Sequence, residues 1–189
     1  LKPGMAGKFQ AENAALALIA SNGVLESLGI EKADRIGAIQ RGIERSKLPG
    51  RMELLRNSPP LLIDAAHTPS SVEKLAETYT ETFGKKGILI FGSVLGKNPE
   101  AMARVLAPFF EAIIISTPGT FKPSDPQEVF EAFARCHDNV ELHLSPQAAL
   151  SRADELAKDI KPILVTGSFY MISEIKLLVD RENRIKVEA

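Results

Sequence analysis

The chain has 189 residues, 44% of them hydrophobic, which is enough for one sizeable core with a small additional piece. Its 23 basic and 24 acidic residues nearly cancel, so charge balance gives no support to nucleic-acid or membrane-surface binding. Cys136 is the only cysteine, which excludes an internal disulfide, and no apolar run reaches the roughly 20 residues a membrane helix needs.

A cytoplasmic protein is therefore expected, with Cys136 as a buried or half-buried small residue at a helix end. The start shows no signal-peptide pattern, and it opens on Leu1-Lys2-Pro3-Gly4, the look of a piece of a longer polypeptide. In chain order, the alanine- and leucine-rich run from Gln10 to Leu28 has helical spacing, as does Glu31–Arg45 with Ile36, Ile39 and Ile43. Ser46-Lys47-Leu48-Pro49-Gly50 then breaks the pattern. A domain boundary is expected there, dividing residues 1–48 from residues 49–189.

Beyond the boundary, short β-branched or leucine-rich runs alternate with helix-length segments. Strands are predicted at Met52–Arg56, Leu61–Ile63, Gly87–Phe91, Ala112–Ser116, Val140–Leu144 and Pro162–Val165. Helices are predicted at Ser70–Phe83, Pro99–Phe110, Asp125–Arg135, Pro146–Lys158 and Phe169–Arg181. This alternation predicts an α/β fold of Rossmann-like type: a mainly parallel six-stranded sheet with helices on both faces, preceded by two helices. Met52–Arg56 is the exception, because Asn57-Ser58-Pro59-Pro60 is too short for a crossover helix; it is expected as an antiparallel edge strand.

Several chemistries are poorly supported. There is no G-x-x-x-x-G-K-[ST] phosphate loop and no G-x-G-x-x-G after a strand, so a self-sufficient ATPase is not expected. His67, His137 and His143 lack metal-ligand spacing, and Ser168 does not sit in a G-x-S-x-G elbow, so neither a metal site nor a serine hydrolase is indicated. What remains is a set of polar residues where strands end: Asp64 to His67, Gly92 to Lys97, Thr117 to Lys122, and Thr166-Gly167-Ser168. In a parallel sheet these ends share one edge, the edge where ligands collect. Read singly, each is a helix cap or a turn residue; in particular, Asp64 is a cap for the helix that follows, with His67 packed against it.

The order Gln10-x-x-Asn13-Ala14-Ala15-Leu16-Ala17, Pro49-Gly50-Arg51-Met52-Glu53, Ile63-Asp64-Ala65-Ala66-His67-Thr68-Pro69, Lys97 with Met102, and Thr166-Gly167-Ser168-Phe169-Tyr170 resembles the C-terminal part of the folylpolyglutamate synthase/dihydrofolate synthase family, within the Mur ligase superfamily. The resemblance implies an ATP-dependent amide ligase that joins L-glutamate to a folate or dihydropteroate carboxylate through an acyl phosphate. Residues before about Leu48 would be a helical tail of the central ATPase domain, and the rest the C-terminal ligase domain. ATP and Mg2+ are the implied cofactors, the magnesium ligands lying mainly in the ATPase domain, so that no metal ligand is assigned to this chain. By position, Gln10 and Asn13 would face the adenine, Arg51 the phosphates, and Asp64 the ribose or the linker hinge. His67 would lie near the reacting centre, and His67, Lys97 and Ser168 would hold the glutamate, with Asp64 or His67 assisting proton removal.

Phe9, Ala65 and Thr68 depart from the His, Gly and Asn common in that family, and Lys122 stands where many members carry Arg; a lysine cannot reproduce the planar guanidinium fork. The competing readings are a non-catalytic nucleotide- or amino-acid-binding module of the same fold, and a Mur-type cell-wall peptide ligase domain. This chain alone, without a phosphate loop, is expected to be inactive.

Overall fold

The computed structural model describes residues 4 and 7–188, and the chain divides into two compact units, Leu1–Arg51 and Met52–Ala189. In the first, α1 (Lys8–Ser27) packs against α2 (Lys32–Arg45). Helix α2 buries Ile39 and Ile43, one turn apart, as an amphipathic helix should. Helix α1 is apolar around its circumference and buries little; Leu16, Ile19 and Val24 are exposed. An apolar groove of about 620 Å³, lined by Ala17, Val24, Ile39 and Ile43 among others, runs between the two.

The second unit opens with β1 (Glu53–Asn57) and β2 (Pro60–Ile63), followed by α3 (Pro69–Phe83), β3 (Gly87–Phe91) and α4 (Pro99–Leu106). Next come β4 (Phe110–Ile115), α5 (Pro126–Ala134), β5 (Val140–Leu142), α6 (Pro146–Ala157), β6 (Ile163–Thr166) and α7 (Phe169–Glu188). The strands form one six-stranded sheet in the order β1-β2-β6-β3-β4-β5. Only β1 is antiparallel to its neighbour; every other pairing is parallel. Edge strand β1 is also held from outside the sheet, by ion pairs from Arg56 to Asp154 of α6 and from Lys176 of α7 to Glu53.

Side chains alternate across each central strand with period two, which divides the core into two clusters. Leu62, Leu89, Phe91, Ile113 and Leu164 face α3, α4 and α5, meeting Tyr79, Met102 and Phe133. Ile63, Ile88, Ile90, Ile114 and Val165 face α6 and α7, meeting Leu150, Met171 and Ile175. Each of α3 to α6 begins with a capping side chain and a proline at its first position. Thr68, Asn98, Asp125 and Ser145 accept from Ser71, Ala101, Glu128 and Ala148 amides, satisfying donors the helix cannot, while Pro69, Pro99, Pro126 and Pro146 lack the N–H that would be orphaned there.

Three local expectations change. The helix predicted to run to Phe110 stops at Leu106, because Pro108 cannot donate to the preceding turn; Ala107–Phe109 is a 3-10 turn and Phe110 opens β4. Strand β5 ends at Leu142, since Ser145 already caps α6. Cys136 is exposed rather than buried, because it follows the end of α5 at Ala134 and points away from both core clusters.

Strand β5 carries an ion network. Arg152 Nε donates to Glu141 Oε2 at 2.9 Å and its Nη2 to Oε1 at 2.9 Å, and His143 Nε2 lies 2.9 Å from Glu141 Oε2. These partners, Arg152 foremost, hold the Glu141 carboxyl down at about 2 against an ordinary 4.5. A depressed carboxyl contributes stability above its unfolded value, and that contribution disappears as pH falls from about 4.5 through about 2. Denaturant midpoints measured down this range should fall more steeply for the native chain than for Glu141→Gln; parallel curves would show that the network does not stabilise the fold.

Candidate functional site

From edge strand β1 the chain turns into β2, moves outward through β3 and β4 to β5, then returns to place β6 between β2 and β3. Helices α3 and α4 leave on one face while α7 leaves on the other. Loops after β2, β3 and β6 therefore diverge, and a crevice opens outside the carboxyl ends of these strands, as it does wherever an open α/β sheet reverses its winding. The crevice measures about 420 Å³ and is lined by His67, Val94 to Lys97, Lys122, and Ser168 to Tyr170. Each of the four strand-end segments picked out in the sequence contributes to its walls, and Phe169 and Tyr170 at the start of α7 complete them.

The ends of β3 and β6 approach closely. Gly167 adopts φ 106, a left-handed conformation, and a Cβ there would come within 2.7 Å of the Gly92 carbonyl oxygen. Its amide donates to Ala66 O at 3.0 Å, and Thr166 Oγ1 donates to the same oxygen at 3.1 Å, so the Asp64–His67 segment is fastened to β6.

Asp64 is buried, and it does not cap α3. Its Oδ2 accepts from the Met52 amide at 2.9 Å and its Oδ1 from the Ala66 amide at 2.8 Å; Thr68 and Ser71 form the capping box of α3 instead. The carboxylate thus clamps the backbone where the sheet unit begins. Thr68, where Asn is common in the family it resembles, does the same capping work as Asn would. Replacing Asp64 by alanine leaves two inward-facing amides without partners, for an expected loss of about 2–4 kcal/mol. Urea unfolding would measure this, and an unchanged midpoint would show that the clamp does not stabilise the sheet unit.

His67 is half-buried, its amide tied to Ser71 Oγ at 3.1 Å and its ring 6.3 Å from the Phe169 ring. The Nδ1 atom lies 2.8 Å from Ala65 O. A carbonyl only accepts, so Nδ1 carries the proton, and in the neutral ring Nε2 keeps its lone pair. Lys97 is half-buried and Lys122 exposed, and neither has a hydrogen-bond or ion-pair partner among the described residues. Among the described residues no carboxylate lines the crevice. Two ammonium groups and an imidazole thus face a space without a counter-charge, an arrangement suited to a small anionic ligand.

Ser168 lines the crevice too, but its hydroxyl is committed. It donates to Gly92 O at 2.9 Å and accepts from the Met171 amide at 3.0 Å, capping α7. With its one proton engaged it has none to offer a carboxylate, which removes Ser168 as a hydrogen-bond donor from the set expected with His67 and Lys97, while Lys122 joins the lining. In the sequence Lys122 is marked as the end of a strand-end segment and as a departure from Arg, without a binding role of its own. Gln10 is buried and accepts from Asn13 Nδ2 at 3.2 Å within the helical unit, where Phe9 is half-buried; Arg51 is the last residue of that unit. Among the described residues no group of three or more His, Cys, Asp or Glu side chains is placed to hold a metal ion, and no helix is long and apolar enough to cross a membrane.

Residues 50–169 match the family described as Mur ligase, glutamate ligase domain. The chain is 28% identical over 179 residues to dihydrofolate synthase/folylpolyglutamate synthase of Bacillus subtilis, covering 93% of this chain and 40% of that relative. It is 30% identical over 165 residues to the UDP-N-acetylmuramoyl-L-alanyl-D-glutamate--L-lysine ligase of Streptococcus pyogenes, covering 84% of this chain and 33% of that one. Among solved structures, Mycobacterium tuberculosis folylpolyglutamate synthase in complex with ADP and AMPPCP superposes with a TM-score of 0.79 at 27% identity, over 93% of this chain and 41% of that one. The chain thus spans about two-fifths of the length of the folate relatives it matches.

Proposed function

The chain belongs to the Mur ligase, glutamate ligase domain family, and on that premise we propose that residues 49–189 are the amino-acid-binding domain of an ATP-dependent ligase joining L-glutamate to a folate or dihydropteroate carboxyl group. The observation that carries this reading is the crevice at the sheet reversal, with Lys97, Lys122 and His67 facing it and no acid among its lining. Glutamate brings two carboxylates and an ammonium. The carboxylates pair with the lysines, and His67 Nε2 takes a proton from the ammonium, freeing the amine to attack an activated acceptor carboxyl group.

Residues 1–48 are proposed as a helical tail of an ATPase domain, and the exposed apolar side chains of α1 support this. The Gln10–Asn13 amide pair offers the donor and acceptor groups that suit an adenine edge, and Arg51 the fork that suits phosphate. ATP would supply the phosphoryl group that activates the acceptor. Magnesium, if it accompanies ATP, is proposed to be held mainly by the part of the ATPase domain outside residues 1–48.

The test is ligation by the full-length protein with ATP, L-glutamate and, in turn, dihydropteroate, tetrahydrofolate and a UDP-muramoyl peptide. Product with either folate-type acceptor is expected. Product with the peptide alone would transfer the chain to the cell-wall reading, and no ATP-dependent product would leave a binding module. The 189-residue chain alone should give none above a heat-killed control.

A further inference from the structure

Lys122 stands on the loop between β4 and α5, and that loop is pinned on both sides of it. On one side the Phe121 ring stacks on the Tyr170 ring of α7, centroids 5.3 Å apart at 24°, although Phe121 is 77% exposed. On the other the Pro123 carbonyl accepts from the Leu95 amide at 2.9 Å, joining this loop to the one that carries Lys97. Gly119, at φ 82, lies so close to α7 that a Cβ would come within 2.7 Å of Glu174 Oε1. A solvent-exposed phenylalanine stacked beside a crevice lysine buries little apolar area, so core packing does not account for it. Tyr170 itself lines the crevice.

We propose that the Phe121–Tyr170 stack is a clasp that positions Lys122 over the crevice, and that it thereby sets affinity for the side-chain carboxylate of the incoming dicarboxylic amino acid. The proposal rests on the glutamate-ligase reading above. A lysine has a long flexible stem, so the direction in which its charge is delivered depends on how firmly its backbone is held. With the stack gone, the loop keeps its Pro123 bond, the Gly119 approach and the bond from Thr117 Oγ1 to Leu144 O at 2.7 Å, and the ammonium spreads over more of the solvent. Phe121 is a positioning residue that acts through Lys122.

In the full-length protein, Phe121→Ala should raise the L-glutamate KM about fivefold, with kcat within about twofold and the ATP KM unchanged. Phe121→Tyr should restore the native value, and in a Lys122→Ala background Phe121→Ala should add nothing, because the two act as one unit. A native glutamate KM in Phe121→Ala, or additive effects in the double variant, overturns the clasp. Binding is read separately from ligation by following the Lys122 side-chain NMR signals during titration with L-glutamate or L-glutamine. The expected result is a saturable shift with glutamate that needs more ligand in Phe121→Ala, and no such difference with glutamine. That result in a protein that fails to ligate glutamate would sink the ligase reading while the clasp stands; Lys122 signals indifferent to glutamate would overturn the clasp.

Discussion

His67→Ala in the full-length protein is expected to lower glutamate ligation by about 10²–10⁴-fold, the usual contribution of a positioned general base, while leaving ATP affinity within experimental scatter. The reason is the fixed tautomer: Nδ1 is held 2.8 Å from Ala65 O, so the neutral ring can present only Nε2 as a base. His67→Asn, which can still donate to Ala65 O, should lose as much, because it cannot take the proton. The fold should survive, since the cap of α3 is made by Thr68 and Ser71 and not by the imidazole. Rate–pH profiles and equilibrium ATP titrations on both variants make the measurement. Native turnover in either variant, or a loss that tracks the melting temperature, would remove His67 from the chemistry.

Lys97→Met is expected to raise the glutamate KM by about 10- to 100-fold, corresponding to the roughly 1.5–3 kcal/mol of a hydrogen bond to a charged group. Methionine keeps most of the apolar stem and removes the charge. Lys97 has no partner among the described residues that would be stranded by the change, and no internal ion pair is lost. Glutamate-dependence curves at saturating ATP and acceptor would read it. An unchanged KM would mean that Lys97 is a solvated surface charge, the plain reading of a lysine in a glycine-containing loop.

The two substitutions probe residues that were legible in the sequence for a definite reason. His67 and Lys97 each follow a short, wholly apolar strand, and such strands are buried in parallel sheets whose carboxyl edge is the ligand edge. Ser168 was legible by the same argument, yet its hydroxyl is spent on Gly92 and α7. Position at the edge is a property of the local pattern. Availability for a ligand depends on which other strand end lies alongside.

The sequence by itself determined the α/β class, the parallel strands, the antiparallel edge at β1 and the segments that meet at the crevice, because apolar periodicity, turn residues and connection lengths are local quantities. Only the tertiary structure decided which of those polar groups are free. The insertion of β6 between β2 and β3 brings Thr166 and Gly167 onto Ala66 and Ser168 onto Gly92, partners about a hundred and about seventy-six residues apart in the chain. The clamp of Asp64 on the Met52 amide, and the lodging of Lys122 between the Phe121 stack and the Leu95–Pro123 bond, have the same origin. A hydrogen bond or a ring contact is set by angstrom distances between segments remote in sequence, and no spacing along one chain encodes those distances.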